Sequence, residues 1–73
     1  MRLPSLTPKQ LLHVLLHAGF VVDHQTGSHV VLRHPDGRRT LIAMHPRELK
    51  RGTLHGIIKQ AGYTLEEFLA LLR

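Results

Sequence analysis

The chain has no cysteine and no tryptophan, and only one tyrosine and two phenylalanines among its 73 residues. The missing thiols exclude a disulfide framework and any thiolate metal site, which accords with a reducing compartment. The scarcity of aromatics leaves the core to aliphatic side chains. A chain this short buries only about 60% of the surface its unfolded form exposes. One domain over residues 1–73 with a single modest core is expected. Long apolar runs are missing too, and the longest fall far below the roughly 20 residues that span a bilayer. No apolar h-region follows Arg2, Pro4 and Pro8, so no targeting segment is expected, and the protein reads as soluble and cytoplasmic.

Acidic side chains are also few. Lys and Arg total 10 against 5 Asp and Glu. The excess is uneven: residues 1–62 carry nine basic and three acidic side chains, whereas residues 63–73 carry Arg73 against Glu66 and Glu67. A basic body of this kind favours a polyanionic partner, nucleic acid first.

What is present divides cleanly into elements. Thr7-Pro8-Lys9-Gln10 opens a helix. Thr7 suits the N-cap, Pro8 the first helical position, and Gln10 completes a capping box. Apolar residues at 11, 12, 14, 15, 16 and 18 face away from Lys9, Gln10, His13 and His17. Gly19 is placed to end the helix after Ala18. Phe20 to Thr26, Ser28 to His34 and Arg38 to His45 read as three strands. Turns at Gly27 and Pro35-Asp36-Gly37 join them. Such short connections imply an antiparallel meander. Pro46 stops the third strand, and Arg47 to Gly52 form a basic loop. Thr53 is expected to cap a second helix over Leu54–Ala61, and Thr64 with Glu67 to cap a short third one. The order is α-β-β-β-α-α. It predicts an α+β fold in which helices cover one face of a three-stranded antiparallel sheet, the layout of a double-stranded-RNA-binding-like domain.

Strand alternation puts His29, Val31 and Arg33 on one face and Val30, Leu32 and His34 on the other. The first set is the more polar and is the expected open face. If Thr26-Gly27 is the two-residue loop, His24 lies opposite His29. A histidine titrates near neutrality, so His29 can take or give a proton at a phosphodiester. With seven histidines in the chain, composition alone favours reading His29 as an ordinary exposed or hydrogen-bonded strand histidine. Arg33, Arg38, Arg39, Arg47, Lys50, Arg51 and Lys59 are candidate phosphate contacts, of the kind that position a nucleic acid without reading its sequence. His13 and His17 share a helix face but lack a third ligand nearby, so no metal site is expected. His34 and His45, beside prolines at strand ends, read as structural or surface residues.

Several ordered segments resemble the HicA (YcfA-like) mRNA interferase toxins of toxin–antitoxin pairs. They include Leu3-Pro4-Ser5-Leu6-Thr7, Gly27-Ser28-His29, Arg33-His34-Pro35-Asp36-Gly37-Arg38, Glu48-Leu49-Lys50-Arg51-Gly52-Thr53-Leu54 and Ile57-Ile58-Lys59-Gln60-Ala61-Gly62. The resemblance implies ribosome-independent cleavage of mRNA that halts translation; the histidine chemistry needs no metal, and no cofactor is expected. It implies a HicB-type antitoxin that masks the active site. The family's catalytic histidine maps onto His29 and its preceding glycine onto Gly27. Gly27, Ser28, Arg33, Arg38, Arg39, Arg47, Lys50 and Arg51 are then the expected RNA-binding set. The second proton-transfer group stays open among His24, Ser28 and a water. The alternatives are a non-catalytic RNA-binding module of the same fold and a protein-interaction domain.

Overall fold

The first helix forms where the capping box places it. In the computed structural model, which describes residues 3–73, α1 runs Pro8–His17. Thr7 accepts the Gln10 backbone N–H, and the Gln10 side chain accepts the Thr7 N–H. Arg2, named above at the start of the chain, lies outside the described residues. Past the helix, Gly19 adopts φ +100°, and the Gly19 and Phe20 N–H groups return to the Leu16 and Leu15 carbonyls. That is a Schellman ending, and it points Phe20 into the core.

Three strands follow, β1 at Val21–Thr26, β2 at His29–Arg33 and β3 at Arg39–Ala43, joined as an antiparallel sheet in the order β1-β2-β3. The first hairpin differs from expectation. Thr26 pairs with His29, so the loop is Gly27-Ser28, and His24 lies opposite Val31 rather than His29. Gly27 supplies the positive φ, +56°, at the first loop position, as a type II′ turn requires. Thr26, being β-branched, stays in the strand. A bulge between Val22 and His24 leaves Asp23 as an extra residue in β1. The third strand stops at Ala43, two residues before the expected His45, although the Met44 N–H still reaches the Ser28 carbonyl.

Two helices complete the order, α2 at Arg51–Gln60 and α3 at Leu65–Leu71. The start of α2 corrects the expectation of a Thr53 cap. Lys50 is the N-cap, without a side-chain bond, and its carbonyl accepts the Leu54 N–H. Thr53 is thus inside the first turn. Helix α2 also closes in a Schellman motif, with Gly62 at φ +84° and the Tyr63 N–H on the Ile58 carbonyl. Helix α3 has the expected box of Thr64 and Glu67. The two hydrogen bonds from Thr64 hold the Glu67 carboxyl below its ordinary value.

Leu11 and Leu15 of α1, Val30 and Leu32 of β2, Ile42 of β3, Leu54, Ile57 and Ile58 of α2, and Phe68 of α3 are buried together. Burying a side chain such as Phe68 stabilises by about 1.5–3 kcal/mol. The residues before α1 belong to this core as well. Leu3 and Leu6 are buried, and the Leu6 carbonyl accepts the N–H of buried Leu49 at 2.7 Å. That bond ties the basic loop to the N-terminal segment. Thr40, the buried polar residue of the sheet, donates to Gln60 Oε1 at 3.0 Å. Helices therefore cover the face that holds Val30, Leu32, Thr40 and Ile42, and the opposite face is open. The architecture is the expected α+β order. Among the described residues no helix is long and apolar enough to cross a membrane.

Candidate functional site

The open face is built by alternation. On β2 it presents His29, Val31 and Arg33. Their register partners on β3 are Ala43, Leu41 and Arg39. On β1 their partners are Thr26, His24 and Val21. His29, Arg33, Arg39 and Leu41 are exposed and Val31 half-buried. The face is thus a strip with His29 at one end and the two arginines at the other. Four residues of strand separate the ends, about 13 Å. Valine and leucine lie between, flanked by His24.

His29 opens β2 immediately after the turn. Gly27 and Ser28 form that turn, and the Ser28 carbonyl is held by the Met44 N–H. The backbone that carries His29 is therefore fixed by the ladder on both sides. Among the described residues no side chain hydrogen-bonds its ring, and the residue is exposed. Ala43, across from His29, also lines a groove of about 590 Å³ formed with His45, Pro46, Arg47, Glu48, Leu49, Lys50 and Thr53. Arg47, Lys50 and Arg51 are exposed along this loop and at the start of α2. The α2 N-terminus has unsatisfied N–H groups, a basic first turn and no acidic residue there, and that combination attracts anions.

Asp23 organises the other end of the strip. The bulge turns its carboxylate onto the open face, where one oxygen accepts Arg33 Nε at 3.3 Å and the other accepts Arg39 Nη2 at 3.1 Å. The second oxygen also accepts His24 Nδ1 at 2.8 Å. These bonds, the one from His24 first and that from Arg33 next, hold the Asp23 carboxyl below its ordinary value. A chain scarce in acids has placed one of them among three potential cations. The sequence reading did not single out Asp23. Its signal was a lone acid beside His24 in a polar stretch of strand.

Arg38 is placed quite differently from the other candidates. Its guanidinium lies 5.3 Å from the Phe20 ring centroid and 5.1 Å from that of Tyr63. Its Nη1 donates to the carbonyl of buried Ala61 at 2.7 Å, and its Nε donates to Asp36 at 2.8 Å. The hydrogen bond from Arg38 lowers the Asp36 carboxyl, and Asp36 raises Arg38 in return. The side chain therefore clamps the β2–β3 turn to the end of α2. Gly62 is part of that clamp, since a Cβ there would sit 2.6 Å from Arg38 Cδ. Nearby, His34 packs edge-on against Phe20 at 5.0 Å and accepts the Asp36 N–H through Nδ1, consistent with a structural role.

Lys59 is exposed on α2 and apart from the strip. His17 bonds the His13 carbonyl through Nδ1, so that nitrogen is engaged within α1. Among the described residues no three of His, Asp and Glu gather in a set that could hold a metal ion.

Residues 8–63, 56 of the 73 positions, match a family model described as the HicA toxin of bacterial toxin-antitoxin. No curated protein matches the chain.

Proposed function

The chain belongs to the HicA toxin family and so is the toxin of a toxin–antitoxin pair with an antitoxin partner; from that premise we propose that it is an endoribonuclease that cleaves mRNA and so inhibits translation. The observation that carries the reading is the position of His29. It is an exposed imidazole on a rigid strand, directly after the turn, beside a groove that holds Arg47 and Lys50.

In this reading His29 exchanges a proton with the reacting phosphodiester as general acid or base. Attack by a 2′-hydroxyl on the adjacent phosphorus needs proton removal at one oxygen and proton delivery at the other. An imidazole serves either step near neutral pH, and the chemistry calls for no metal ion. Arg33 and Arg39 at one end of the strip, and Arg47, Lys50 and Arg51 at the other, would hold the flanking phosphates. Gly27 and Ser28 would let the backbone come close to the strand being cut. Arg38 is left out of this set because its donors are engaged inside the fold. The partner would be a HicB-type antitoxin that covers the open face and masks His29.

The test is cleavage of an oligoribonucleotide by purified wild type and His29→Ala in EDTA. The wild type should cut. The variant should keep the wild-type circular dichroism spectrum and lose about 10²–10⁴-fold in rate. A folded variant that cuts at the wild-type rate refutes the assignment. Salt-sensitive RNA binding without products from either protein would instead favour a non-catalytic RNA-binding module.

A further inference from the structure

The structure offers a group for the other half of the proton transfer. His24 stands on β1 opposite Val31, and His29 is two residues from Val31 on the same face of β2. The two histidines are therefore diagonal neighbours across one strand pair, about 7–8 Å apart in such a sheet. They flank one surface without touching. A displacement at phosphorus in which the entering and leaving oxygens stand on opposite sides calls for two separate groups, one serving each side.

The His24 ring is also held in one orientation. Its Nδ1 lies 2.8 Å from Asp23 Oδ2. The carboxylate carries no proton to give, so the ring nitrogen donates. That leaves Nε2 pointing away from Asp23, on a side chain that is 55% exposed. A carboxylate bonded to one imidazole nitrogen fixes the ring's orientation and leaves the other nitrogen free to meet a substrate. Asp23 reaches this position only because the bulge adds it to the strand. Bulges are a recurring means of re-aiming a side chain beside an active site. His29, in contrast, has no such anion among the described residues.

We propose that His24, oriented by Asp23, is the general acid of RNA cleavage, and that His29 is the base. The proposal rests on the endoribonuclease reading above. In the step, neutral His29 takes the proton of the 2′-hydroxyl as the bond from that oxygen to phosphorus forms. The bond from phosphorus to the 5′-oxygen breaks, and its electron pair goes to that oxygen. The His24 imidazolium delivers its Nε2 proton there. The products are a 2′,3′-cyclic phosphate and a 5′-hydroxyl, with no oxidant or second substrate. Arg33 and Arg39 share Asp23 with His24, so all three depend on that carboxylate for their positions.

The test uses the full chain and two substrates. One is an oligoribonucleotide that the wild type cuts. The other carries sulfur in place of the 5′ leaving oxygen at the same position, and thiolate leaves without a proton. On the first substrate His24→Ala should lose about 10²–10⁴-fold, and on the second it should return to within about tenfold of wild type. His29→Ala should stay slow on both. Circular dichroism checks that each variant is folded. A folded His24→Ala that cuts ordinary RNA at the wild-type rate overturns the proposal. So does one that stays slow on the sulfur substrate, since a positional defect would not be relieved by a better leaving group. A wild type that cuts no oligoribonucleotide at all overturns the endoribonuclease reading itself.

Discussion

Replacing Arg38 with methionine should damage the fold and spare the chemistry. The substitution keeps much of the side-chain length but removes the guanidinium. The Ala61 carbonyl, at the end of α2, then loses its 2.7 Å donor, and a hydrogen bond to a charged group is worth about 1.5–3 kcal/mol. The contacts with the Phe20 and Tyr63 rings are also lost, at about 0.5–1 kcal/mol each for a site open to water. Because the Arg38 side chain is 29% exposed, the lower ends of these ranges apply. The methionine sulfur recovers part of the ring contact, about 0.3–1.5 kcal/mol. The pair with Asp36 is in solvent and adds little. The net loss is about 2 kcal/mol. For a domain of this size that lowers Tm by roughly 8–16 °C. Thermal and urea denaturation followed by circular dichroism read the stability, and cleavage per folded molecule is measured well below the new Tm. A variant that melts with the wild type would refute the clamp. A variant that melts normally but binds RNA poorly would return Arg38 to the phosphate-binding set.

Two further outcomes follow from the charges. Changing Lys50 and Arg51 together to alanine should weaken RNA binding and flatten its salt dependence. Each phosphate contact to a single strand contributes about 0.7 to the slope of log K against log salt, so the slope should shrink by about 1.4. An unchanged slope in a fluorescence titration would mean that neither side chain meets phosphate. At acid pH the sign follows from Asp36, whose carboxyl lies below its ordinary value of 3.8 because Arg38 donates to it. A lowered carboxyl stabilises the fold above its unfolded-state value, and that stabilisation is lost as pH falls through the folded one. Urea midpoints should therefore drop between neutral pH and pH values below about 3.8, and Asp36→Asn should reduce the drop. An equal drop in both proteins would place the acid sensitivity elsewhere.

Much of the fold was legible because its signals are local. The Thr7 and Thr64 capping boxes each lie within four consecutive residues, and both are present. Gly19 and Gly62 follow their helices and take the positive φ that ends them. Period-two alternation separated His29, Val31 and Arg33 from Val30 and Leu32, and the first set is the open one. The errors arose where a local rule had two solutions. Gly27 can sit first or second in a two-residue loop, and it sits first. Thr53 is a good cap, yet the first turn begins at Arg51. The anchoring of Leu49 by the Leu6 carbonyl is one structural feature that bears on this choice.

The roles of the charged residues were the part that chain order could not assign. Arg38 and Arg39 are adjacent and equally basic in the sequence. The β2–β3 turn sends Arg38 to an Ala61 carbonyl 23 residues away, while Arg39 goes to Asp23 on the open face. Likewise, nothing local marks Asp23 as an extra residue of its strand. A bulge appears only once β2 sets the register. The sequence by itself determined the order of the elements, the Thr7 and Thr64 caps and which residues share a face, because propensity and periodicity act over a few neighbouring positions. The tertiary structure decided which face is covered, which arginines are engaged within the fold and which acid holds His24. Those outcomes depend on distances between residues far apart along the chain, and packing alone sets such distances.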